Sequence, residues 1–298
     1  MGCVSRLPSS RLSRPRGDLM LSMGDSFASM YHRHGYAVAR DLFPAAAAAD
    51  YRDHFMELRR RGGYPGDPGA DPGAPDPLRR YPRIMHMHRW DPVTLDWLLD
   101  PRIAGCLESL LEAEPYAVQS MLYFKPPGAR GQAMHQDNFY LRVQPGSCVA
   151  AWMALDAADE DNGCLRVVPG SHRWPILCTG PADTSTSFTD ITVPLPAGTT
   201  VRPVLMNPGD VLFFNGSLVH GSEPNRTPDR FRRSLIGHYV HGEARQVAAY
   251  YHPALAMDGT ELPLEVSPDG GPCGVWAERD GRPSVELTGR LVPRQAGE

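Results

Sequence analysis

The stretch GDVLFFNGSLVHGSEPNRTPDRFRRSLIGHYV, residues 209–240, contains the pattern that decides the fold of this chain. Two short runs of β-forming residues, VLFF at 211–214 and SLIGHYV at 234–240, are separated by a segment that includes the turn sequence NGS. No helical periodicity lies between them, and such spacing is typical of an antiparallel sheet. His220 follows the first run, and Arg232 and Ser234 open the second.

Similar runs occur on the N-terminal side of this stretch, punctuated by the turn signals PPG, DNG and NPGD. They are AVQSMLYF (117–124), SCVAAWMAL (147–155), CLRVVPG (164–170) and VRPVLM (201–206). Closely spaced short strands predict an antiparallel sandwich or barrel. Helical spacing precedes them: Pro44 opens a helix that runs to about Arg61, and residues 92–113 form two helices, the second opened by Pro101. The expected fold is mainly β with flanking helices.

Composition excludes several classes of function. The 298 residues carry a net charge of −4, so nothing indicates binding to nucleic acid or to an anionic membrane. No apolar run reaches the roughly 20 residues that span a bilayer. The 6 cysteines are scattered without a C-x-x-C pair, which predicts reduced thiols in a cytoplasmic protein. No obligate protein partner is indicated.

The chain is expected to hold one domain, residues 24–298, behind a disordered extension. Residues 1–23 are rich in Arg and Ser and lack the apolar core of a signal peptide. Residues 62–77, GGYPGDPGADPGAPDP, predict a mobile surface loop. The tail from about residue 253 is rich in Pro and Gly and is expected to be irregular.

A metal site is indicated by His135 and Asp137, since residues i and i+2 of an extended segment share one face. With His220 they form the two-His, one-carboxylate pattern of non-haem Fe(II) oxygenases, which leaves coordination positions open. A 2-oxo acid can occupy two of these positions and O2 the third. Arg232 is then suited to pair with the far carboxylate of 2-oxoglutarate, with Ser234 adding a hydroxyl on the same strand face.

Two other readings of these residues remain open. A non-redox, metal-dependent jelly-roll enzyme, such as a cupin-type isomerase, would use a similar cluster but has no need for Arg232 and Ser234. A catalytically silent binding protein of the same fold has no need of three metal ligands. His220 alone could be an ordinary loop histidine and Arg232 alone a surface charge. The joint pattern, in this order and among β runs, favours the oxygenase.

Several motifs resemble the phytanoyl-CoA dioxygenase family of Fe(II)/2-oxoglutarate oxygenases over roughly residues 25–245. They are SMLYFKPPG (120–128), MHQDNFYL (134–141), NGCLRVVPGSHR (162–173), GDVLFFNGSLVHGS (209–222) and FRRSLIGHYV (231–240). The resemblance implies a double-stranded β-helix core, a cupin-like jelly-roll, with helices packed outside. It also implies Fe(II) as the metal and 2-oxoglutarate and O2 as co-substrates.

The resemblance carries over to individual residues of the motifs. His135, Asp137 and His220 resemble the iron ligands, and Arg232 resembles the residue that holds the distal carboxylate of 2-oxoglutarate. Ser222 falls where the family places a hydroxyl that binds the same co-substrate. No general base is implied beyond this iron site.

The resemblance also assigns residues around this site. Met121 and Trp152 fall where family members line the co-substrate pocket, and His86 falls near a polar position that contacts the co-substrate. Gln136 lies between His135 and Asp137, at a position where family members commonly have Gln. It is expected to support the metal ligands without binding the metal. Gly163 lies in the NG turn of the family, where glycine permits a positive φ.

The implied reaction is hydroxylation, or another oxidation, of a C–H bond in a small molecule, with release of succinate and CO2. Asp137 argues against halogenation, since related halogenases have Gly or Ala there. Substrate specificity is expected from Phe139, Tyr140, the 62–77 loop, residues 174–200 and the tail. The Ala-, Arg-, Pro- and Gly-rich composition suggests a bacterial secondary metabolite as substrate.

Overall fold

The longer helices lie in the N-terminal part of the chain. A computed structural model describes residues 24–69 and 71–291, so the extension predicted for residues 1–23 lies outside the described residues. The helices are α1 (Gly24–His34), α2 (Ala45–Arg61), α3 (Pro77–Arg80), α4 (Pro92–Leu98), α5 (Pro101–Leu111) and α6 (Asn138–Leu141), with single 3-10 turns at Met87–Arg89, Ser171–Arg173 and Ala249–Tyr251. Within the described ranges, none is long and apolar enough to cross a membrane.

Proline, aspartate or both set the starts of α2, α3, α4 and α5. Pro44 directly precedes α2 and Pro101 is the first residue of α5, so both predicted starts are confirmed. Asp91 and Asp100 cap α4 and α5 by accepting hydrogen bonds from backbone N–H groups of the first turn. Proline suits this turn because its missing N–H group would have no partner inside the helix.

Most strands of the described residues belong to two antiparallel sheets, and the others form the pairs β7-β8, β13-β16 and β17-β18. They are β1 (Tyr36–Ala39), β2 (Ile84–Met85), β3 (Pro115–Tyr123), β4 (Gln132–His135), β5 (Cys148–Ala154), β6 (Leu165–Val167), β7 (Gly180–Pro181), β8 (Ile191–Thr192), β9 (Arg202–Val204), β10 (Val211–Asn215), β11 (His220–Ser222), β12 (Ser234–His241), β13 (Gln246–Val247), β14 (Ala254–Leu255), β15 (Glu261–Leu262), β16 (Glu265–Val266), β17 (Pro272–Arg279) and β18 (Arg282–Arg290). The large sheet has the order β1-β10-β5-β12-β3-β14-β15, with β2 beside β3, and the small sheet has the order β4-β11-β6-β9. Each predicted β run contains a strand.

The strand β5 explains how the layers pack. All its residues are buried, because its two faces meet different neighbours. Val149 and Met153 join the core between the large sheet and the helices. Ala150 and Trp152 join a second core, between the large sheet and strands β6 and β9 of the small sheet. Two facing antiparallel sheets with helices outside form a double-stranded β-helix, or jelly-roll, as predicted.

The loop at residues 62–77 is anchored where the structure describes it. Tyr64 stacks on Trp90 with ring centroids 5.8 Å apart. Asp67 accepts hydrogen bonds from the backbone N–H groups of Gly63 and Gly69. The Tyr64 contact holds part of the loop against the segment before α4, and the Asp67 hydrogen bonds order the loop internally. The mobility of the loop stays a prediction.

The expectation of an irregular tail was wrong. Residues 253–291 contain β14 to β18, and β17 and β18 form a hairpin. The turn of this hairpin is Asp280-Gly281, with φ of 52° and 71°. Asp-Gly is a favoured pair for a two-residue hairpin turn that needs positive φ at both positions, so the signal was present in the sequence among the Pro and Gly residues.

The expectation of reduced thiols also fails for one pair of cysteines, because Cys178 and Cys273 form a disulfide across 95 residues of sequence. The segment before Cys178 pairs with β17 through a bridge between Leu177 and Gly274. Sequence spacing could not predict this pairing, since only the docking of the C-terminal hairpin brings the two sulfurs together. Three other cysteines of the described ranges, Cys106, Cys148 and Cys164, are buried.

Candidate metal centre and its cavity

Two histidines and an aspartate converge between the ends of β4 and β11. His135 is the last residue of β4 and lies opposite His220, the first residue of β11. One oxygen of Asp137, Oδ1, lies 3.4 Å from His135 Nε2 and 3.6 Å from His220 Nε2. All three side chains are buried, and one ligand atom from each lies within 4.8 Å of the others.

The route by which Asp137 reaches the cluster differs from the expected one. The strand ends at His135, and Asp137 has helical dihedrals, φ −61° and ψ −35°, at the start of α6. A turn therefore brings the side chains of His135 and Asp137 together. The H-x-D spacing had instead predicted that both residues lie on one extended segment. The predicted proximity is correct, but its cause is the tight passage from β4 into α6.

Backbone carbonyl groups orient both imidazole rings. Nδ1 of His135 lies 2.9 Å from the carbonyl oxygen of Ala133, and Nδ1 of His220 lies 3.1 Å from that of Leu218. Because a carbonyl only accepts, Nδ1 carries the proton in the neutral ring and the Nε2 lone pair points into the cluster, where that of His135 accepts from Gln132 Nε2 at 3.1 Å. Hydrogen bonds of this kind fix the ring orientation of metal-binding histidines.

A further histidine, missed at the level of sequence, holds the aspartate. Nε2 of His238, on β12, lies 3.1 Å from Oδ2 of Asp137, and His238 is 2% exposed. A carboxylate oxygen accepts, so His238 Nε2 donates. Oδ2 is thereby engaged away from His135 and His220, and Oδ1 faces them.

Burial and neighbouring charges favour the protonation states that bind metals. Burial lowers the pKa of His220 to about 4, with the nearby His135 as the next cause. Burial opposes ionisation of Asp137, but His220, His135 and His238 together hold the pKa of its carboxyl well below its usual range. At neutral pH His220 is therefore neutral and the carboxyl ionised, as metal binding requires.

The cluster opens into a cavity of about 870 Å³. Its wall includes the three clustered side chains and, among the predicted co-substrate contacts, Met121, Trp152, Ser222 and Arg232. Of the side chains expected to set specificity, Phe139 and Tyr140 line it, and so do Phe188 and Thr189 of the 174–200 segment and Asp269, Gly270 and Leu291 of the tail. None of the described residues of the 62–77 loop reaches it.

A buried arginine closes the cavity wall beyond the cluster. Arg232 is 3% exposed, and its Nε donates to the Gly163 carbonyl at 3.2 Å. Its NH1 donates to Ser234 Oγ at 3.1 Å, and the guanidinium lies 5.2 Å from the ring centre of Trp152. Burial lowers the pKa of Arg232 to about 10, so it remains charged at neutral pH.

No carboxylate of the described residues lies within 4 Å of Arg232. An uncompensated buried charge is costly, so this position is suited to an anionic ligand. The predicted role of Ser234 is modified here: its hydroxyl accepts from Arg232 and does not line the cavity, so it orients the guanidinium.

Lys125, in the KPPG sequence, is a second buried basic side chain that sequence reasoning missed. Its Nζ donates to Ser222 Oγ at 2.8 Å and to the carbonyl oxygens of Glu223 at 2.6 Å and Gly163 at 3.2 Å. Burial, and then the charge of Arg232, hold the pKa of Lys125 well below its usual range. Lys125 therefore links the strand that carries Ser222 to the turn that supports Arg232.

Gln136 lies outside the cavity wall, in keeping with the supporting role predicted for it, whereas the predicted co-substrate contact His86 also lies outside it. Gln136 is 1% exposed and braces the loops, accepting from Leu177 N at 2.8 Å and donating to the Ser217 carbonyl at 2.8 Å. His86 is also buried but faces Tyr250, with ring centroids 4.5 Å apart. The cavity wall instead receives Arg83 and Met85 from this segment, because His86 ends β2 in a left-handed conformation with φ 52°.

The donor set fits a divalent transition metal. Two neutral imidazole nitrogens and one carboxylate oxygen converge from one side, and the opposite side is the cavity. Fe(II) in oxygenases takes this arrangement, and it leaves positions for ligands that enter through the cavity. The buried, uncompensated Arg232 on the same wall fits the second carboxylate of a dicarboxylate.

Comparisons with known proteins agree with this geometry. The family model described as phytanoyl-CoA dioxygenase (PhyH) matches residues 31–234. Phytanoyl-CoA dioxygenase 1 of Oryza sativa subsp. japonica is 33% identical over 222 residues, which cover 74% of this chain and 75% of that protein. Phytanoyl-CoA dioxygenase of Arabidopsis thaliana is 31% identical over 141 residues, which cover 47% of this chain and 50% of that protein.

Solved structures share the fold. EctD from S. alaskensis in its apo form has a TM-score of 0.62 at 24% identity, covering 82% of this chain and 88% of that one. The epimerase SnoN, in complex with Fe3+, alpha ketoglutarate and nogalamycin RO, has a TM-score of 0.58 at 21% identity. That match covers 74% of this chain and 84% of SnoN. These similarities confirm the jelly-roll architecture.

Proposed function

Because the chain belongs to the phytanoyl-CoA dioxygenase family of Fe(II)- and 2-oxoglutarate-dependent oxygenases, we propose that it oxidises a C–H bond of a small molecule. Hydroxylation is the reaction that we assign, with succinate and CO2 as the products of the co-substrate. One observation carries this proposal. The His135, Asp137 and His220 cluster shares its cavity with Arg232, a buried cation without a carboxylate partner among the described residues.

In this proposal His135, Asp137 and His220 bind the metal. The two imidazole rings offer Nε2, because their Nδ1 atoms are engaged by backbone carbonyls. Asp137 offers Oδ1, because Oδ2 is engaged by His238. A carboxylate that binds through one oxygen leaves more of the coordination sphere to ligands from the cavity.

Arg232 and Ser222 bind the distal carboxylate of 2-oxoglutarate, and Trp152 and Met121 line its site. Gly163, Ser234 and Lys125 hold these groups in place from behind. When bound, the iron and 2-oxoglutarate supply O2 activation coupled to oxidative decarboxylation. The chain itself binds and orients the reactants and surrounds them with a largely apolar wall that limits water.

The substrate that we propose is a small molecule of bacterial secondary metabolism. The Ala-, Arg-, Pro- and Gly-rich composition supports it, as does the fold shared with the epimerase and the carbocyclase of nogalamycin biosynthesis. Residues from α6, from the 174–200 segment and from the C-terminal hairpin region line the same cavity. This shared wall supports a single catalytic domain over the described part of residues 24–298.

A non-redox jelly-roll isomerase would share the metal cluster, and Arg232 separates the two functions. An isomerase that does not use 2-oxoglutarate has no anionic co-substrate to neutralise Arg232. Burial of this charge at the closed side of the cavity would then cost desolvation free energy without compensation. The measurement of choice is therefore co-substrate binding.

The test is an anaerobic titration of the purified protein with Fe(II) and 2-oxoglutarate, followed by visible absorption. The wild type should develop a weak metal-to-ligand charge-transfer band. His135→Ala should lose the band, because a metal ligand is gone. Arg232→Gln should raise the Kd for 2-oxoglutarate about 100-fold, since a buried charged contact is removed.

The matched control is Arg230→Gln, two residues away, where the arginine is exposed and pairs with Asp159. It should leave both the band and the Kd for 2-oxoglutarate unchanged. Absence of a band in a wild-type protein that demonstrably holds iron would refute the 2-oxoglutarate assignment and favour the isomerase.

A further inference from the structure

The two sides of the cavity carry different arginines. Arg232 lies on the closed side, 3% exposed, next to Ser222 and Trp152. Arg83 lies on the open side and is exposed to solvent. In the proposed function the charge of Arg232 binds the co-substrate, and the charge of Arg83 takes no part in binding either the metal or the co-substrate.

The sheet directs Arg83 into the cavity. The adjacent strand β2 pairs with β3 so that Ile84 lies opposite Leu122 and Met85 opposite Met121. Ile84 is 2% exposed and packs into the core on the helical side of the sheet. Side chains alternate along a strand, so Arg83 and Met85 face the other way, and both line the cavity.

The guanidinium of Arg83 has spare hydrogen-bonding capacity. Its NH1 donates to Tyr123 Oη at 3.3 Å, and its Cζ lies 5.8 Å from the centre of the Phe188 ring. No carboxylate of the described ranges lies within 4 Å of it. The nearby Tyr123 hydroxyl raises the pKa of Arg83, and Tyr250 and Tyr140 add to this effect, so the side chain stays charged.

Arg142 provides a contrast on the same wall. Arg142 also lines the cavity, but its guanidinium forms an ion pair with Asp269 of the C-terminal segment. Its charge is already matched by the protein. Among the arginines of the described wall, Arg83 is therefore the cation at the open side that a ligand could neutralise.

We propose that Arg83 binds a carboxylate of the substrate, so the substrate is a small organic acid that presents its acid group at the cavity mouth. This inference rests on the proposed function, because it takes the metal cluster and Arg232 to be occupied by iron and 2-oxoglutarate. A planar guanidinium matches a carboxylate in a two-point contact. The aromatic rings of Phe188, Tyr140 and Phe139 would contact the apolar part of the acid.

The charge pattern argues against a coenzyme A thioester. Such a molecule carries a diphosphate and a further phosphate, and recognition of these groups calls for several basic side chains. The mouth offers one unpaired guanidinium among its described lining residues. A substrate with a single acid group therefore fits the open side better than a polyanion.

The experiment compares matched probes against the protein loaded with Mn(II) and 2-oxoglutarate without oxygen. The probes are straight-chain and phenyl-substituted acids of four to ten carbons, each with its amide and its amine. Binding is measured by calorimetry in the wild type, Arg83→Gln and Arg83→Lys. Arg79→Gln, an exposed arginine outside the cavity wall, is the matched control.

We expect at least one acid to bind about tenfold more tightly than its amide and its amine, as for one charge-assisted contact. Arg83→Gln should abolish this preference, Arg83→Lys should retain part of it, and Arg79→Gln should retain all of it. The Kd for 2-oxoglutarate should stay unchanged in each variant.

Two results would overturn the proposal. One is the absence of a preference for acids across the whole probe series in the wild type. The other is a rise in the Kd for 2-oxoglutarate in Arg83→Gln, which would make Arg83 a second co-substrate contact. Failure of the proposed function has a different signature, because the wild type would then show no charge-transfer band with Fe(II) and 2-oxoglutarate.

Discussion

At the scale of single residues, the two oxygens of Asp137 have different partners. Oδ1 faces His135 and His220, and Oδ2 accepts from His238 at 3.1 Å. A carboxylate held in this way cannot rotate freely to bind a metal through both oxygens. His238 thus acts on the proposed metal through Asp137, as a positioning residue.

We expect His238→Leu to raise the Kd for Mn(II) roughly 10- to 100-fold, the usual cost of losing a hydrogen bond to a metal ligand. Leucine removes the donor and leaves Oδ2 buried without a partner. His238→Gln can still donate and should recover most of the affinity. Titration of Mn(II) followed by electron paramagnetic resonance of the free ion measures both. Equal affinities in the wild type and His238→Leu would show that Asp137 is oriented without His238.

At the scale of elements, the turn before β6 supports the co-substrate end of the cavity. Gly163 has φ 75°, and its carbonyl accepts from both Arg232 and Lys125. A Cβ at Gly163 would lie 2.4 Å from the Glu223 carbonyl oxygen and 2.9 Å from Lys125 Nζ. Glycine is therefore required for its positive φ, as predicted, and also for the close approach of Glu223 and Lys125.

Gly163→Ala should destabilise the protein and weaken co-substrate binding together. Gly198→Ala is the control, because Gly198 also has a positive φ but no atom within 4 Å of its Cβ position. The control should cost about 1 kcal/mol of unfolding free energy, and Gly163→Ala about 2 kcal/mol more. Urea unfolding measures both, and 2-oxoglutarate titration should change for Gly163→Ala alone. Equal losses of stability in the two variants would contradict the clash.

At the scale of the whole molecule, two buried histidines of the His86–His88 turn link stability to pH. They are 7% and 6% exposed, and burial lowers the pKa of His86 to about 3 and that of His88 to about 4. In the unfolded chain these groups have a pKa of about 6.5. Below that pH the unfolded state takes up protons that the folded state does not, so stability falls as pH falls.

Between pH 7.5 and 5.5 we expect each of these histidines to cost roughly 1 kcal/mol of unfolding free energy. Urea denaturation at the two pH values measures the combined loss, to which the buried His220 adds in the same direction. His86→Asn removes one titrating group, and asparagine tolerates the left-handed backbone at this position. The loss of unfolding free energy between pH 7.5 and 5.5 should be smaller in this variant by about the contribution of one histidine. An unchanged loss would mean that His86 does not contribute.

Local sequence determined much of the fold and of the candidate site. Proline at helix starts, apolar runs and turn signals are read within a few residues, so α2, α5 and the main strands were predicted. His135, Asp137, His220 and Arg232 were recognisable because their residue types and order form a restricted pattern among β runs. Asp280-Gly281 belongs with these local signals, although the composition of the tail obscured it.

Tertiary structure decided what depends on contacts between distant segments. His238 meets Asp137 across 101 positions, and Cys178 meets Cys273 across 95. Sequence spacing has no information on such contacts, because the packing of sheets and hairpin creates them. The direction of Arg83 into the cavity and of His86 away from it follows in the same way, from the pairing of β2 with β3 and the left-handed turn that ends it. The sequence by itself therefore determined the antiparallel β architecture and the metal-binding pattern, and its family resemblance implied the jelly-roll. The fold in three dimensions decided which other side chains orient the metal ligands and which face the substrate.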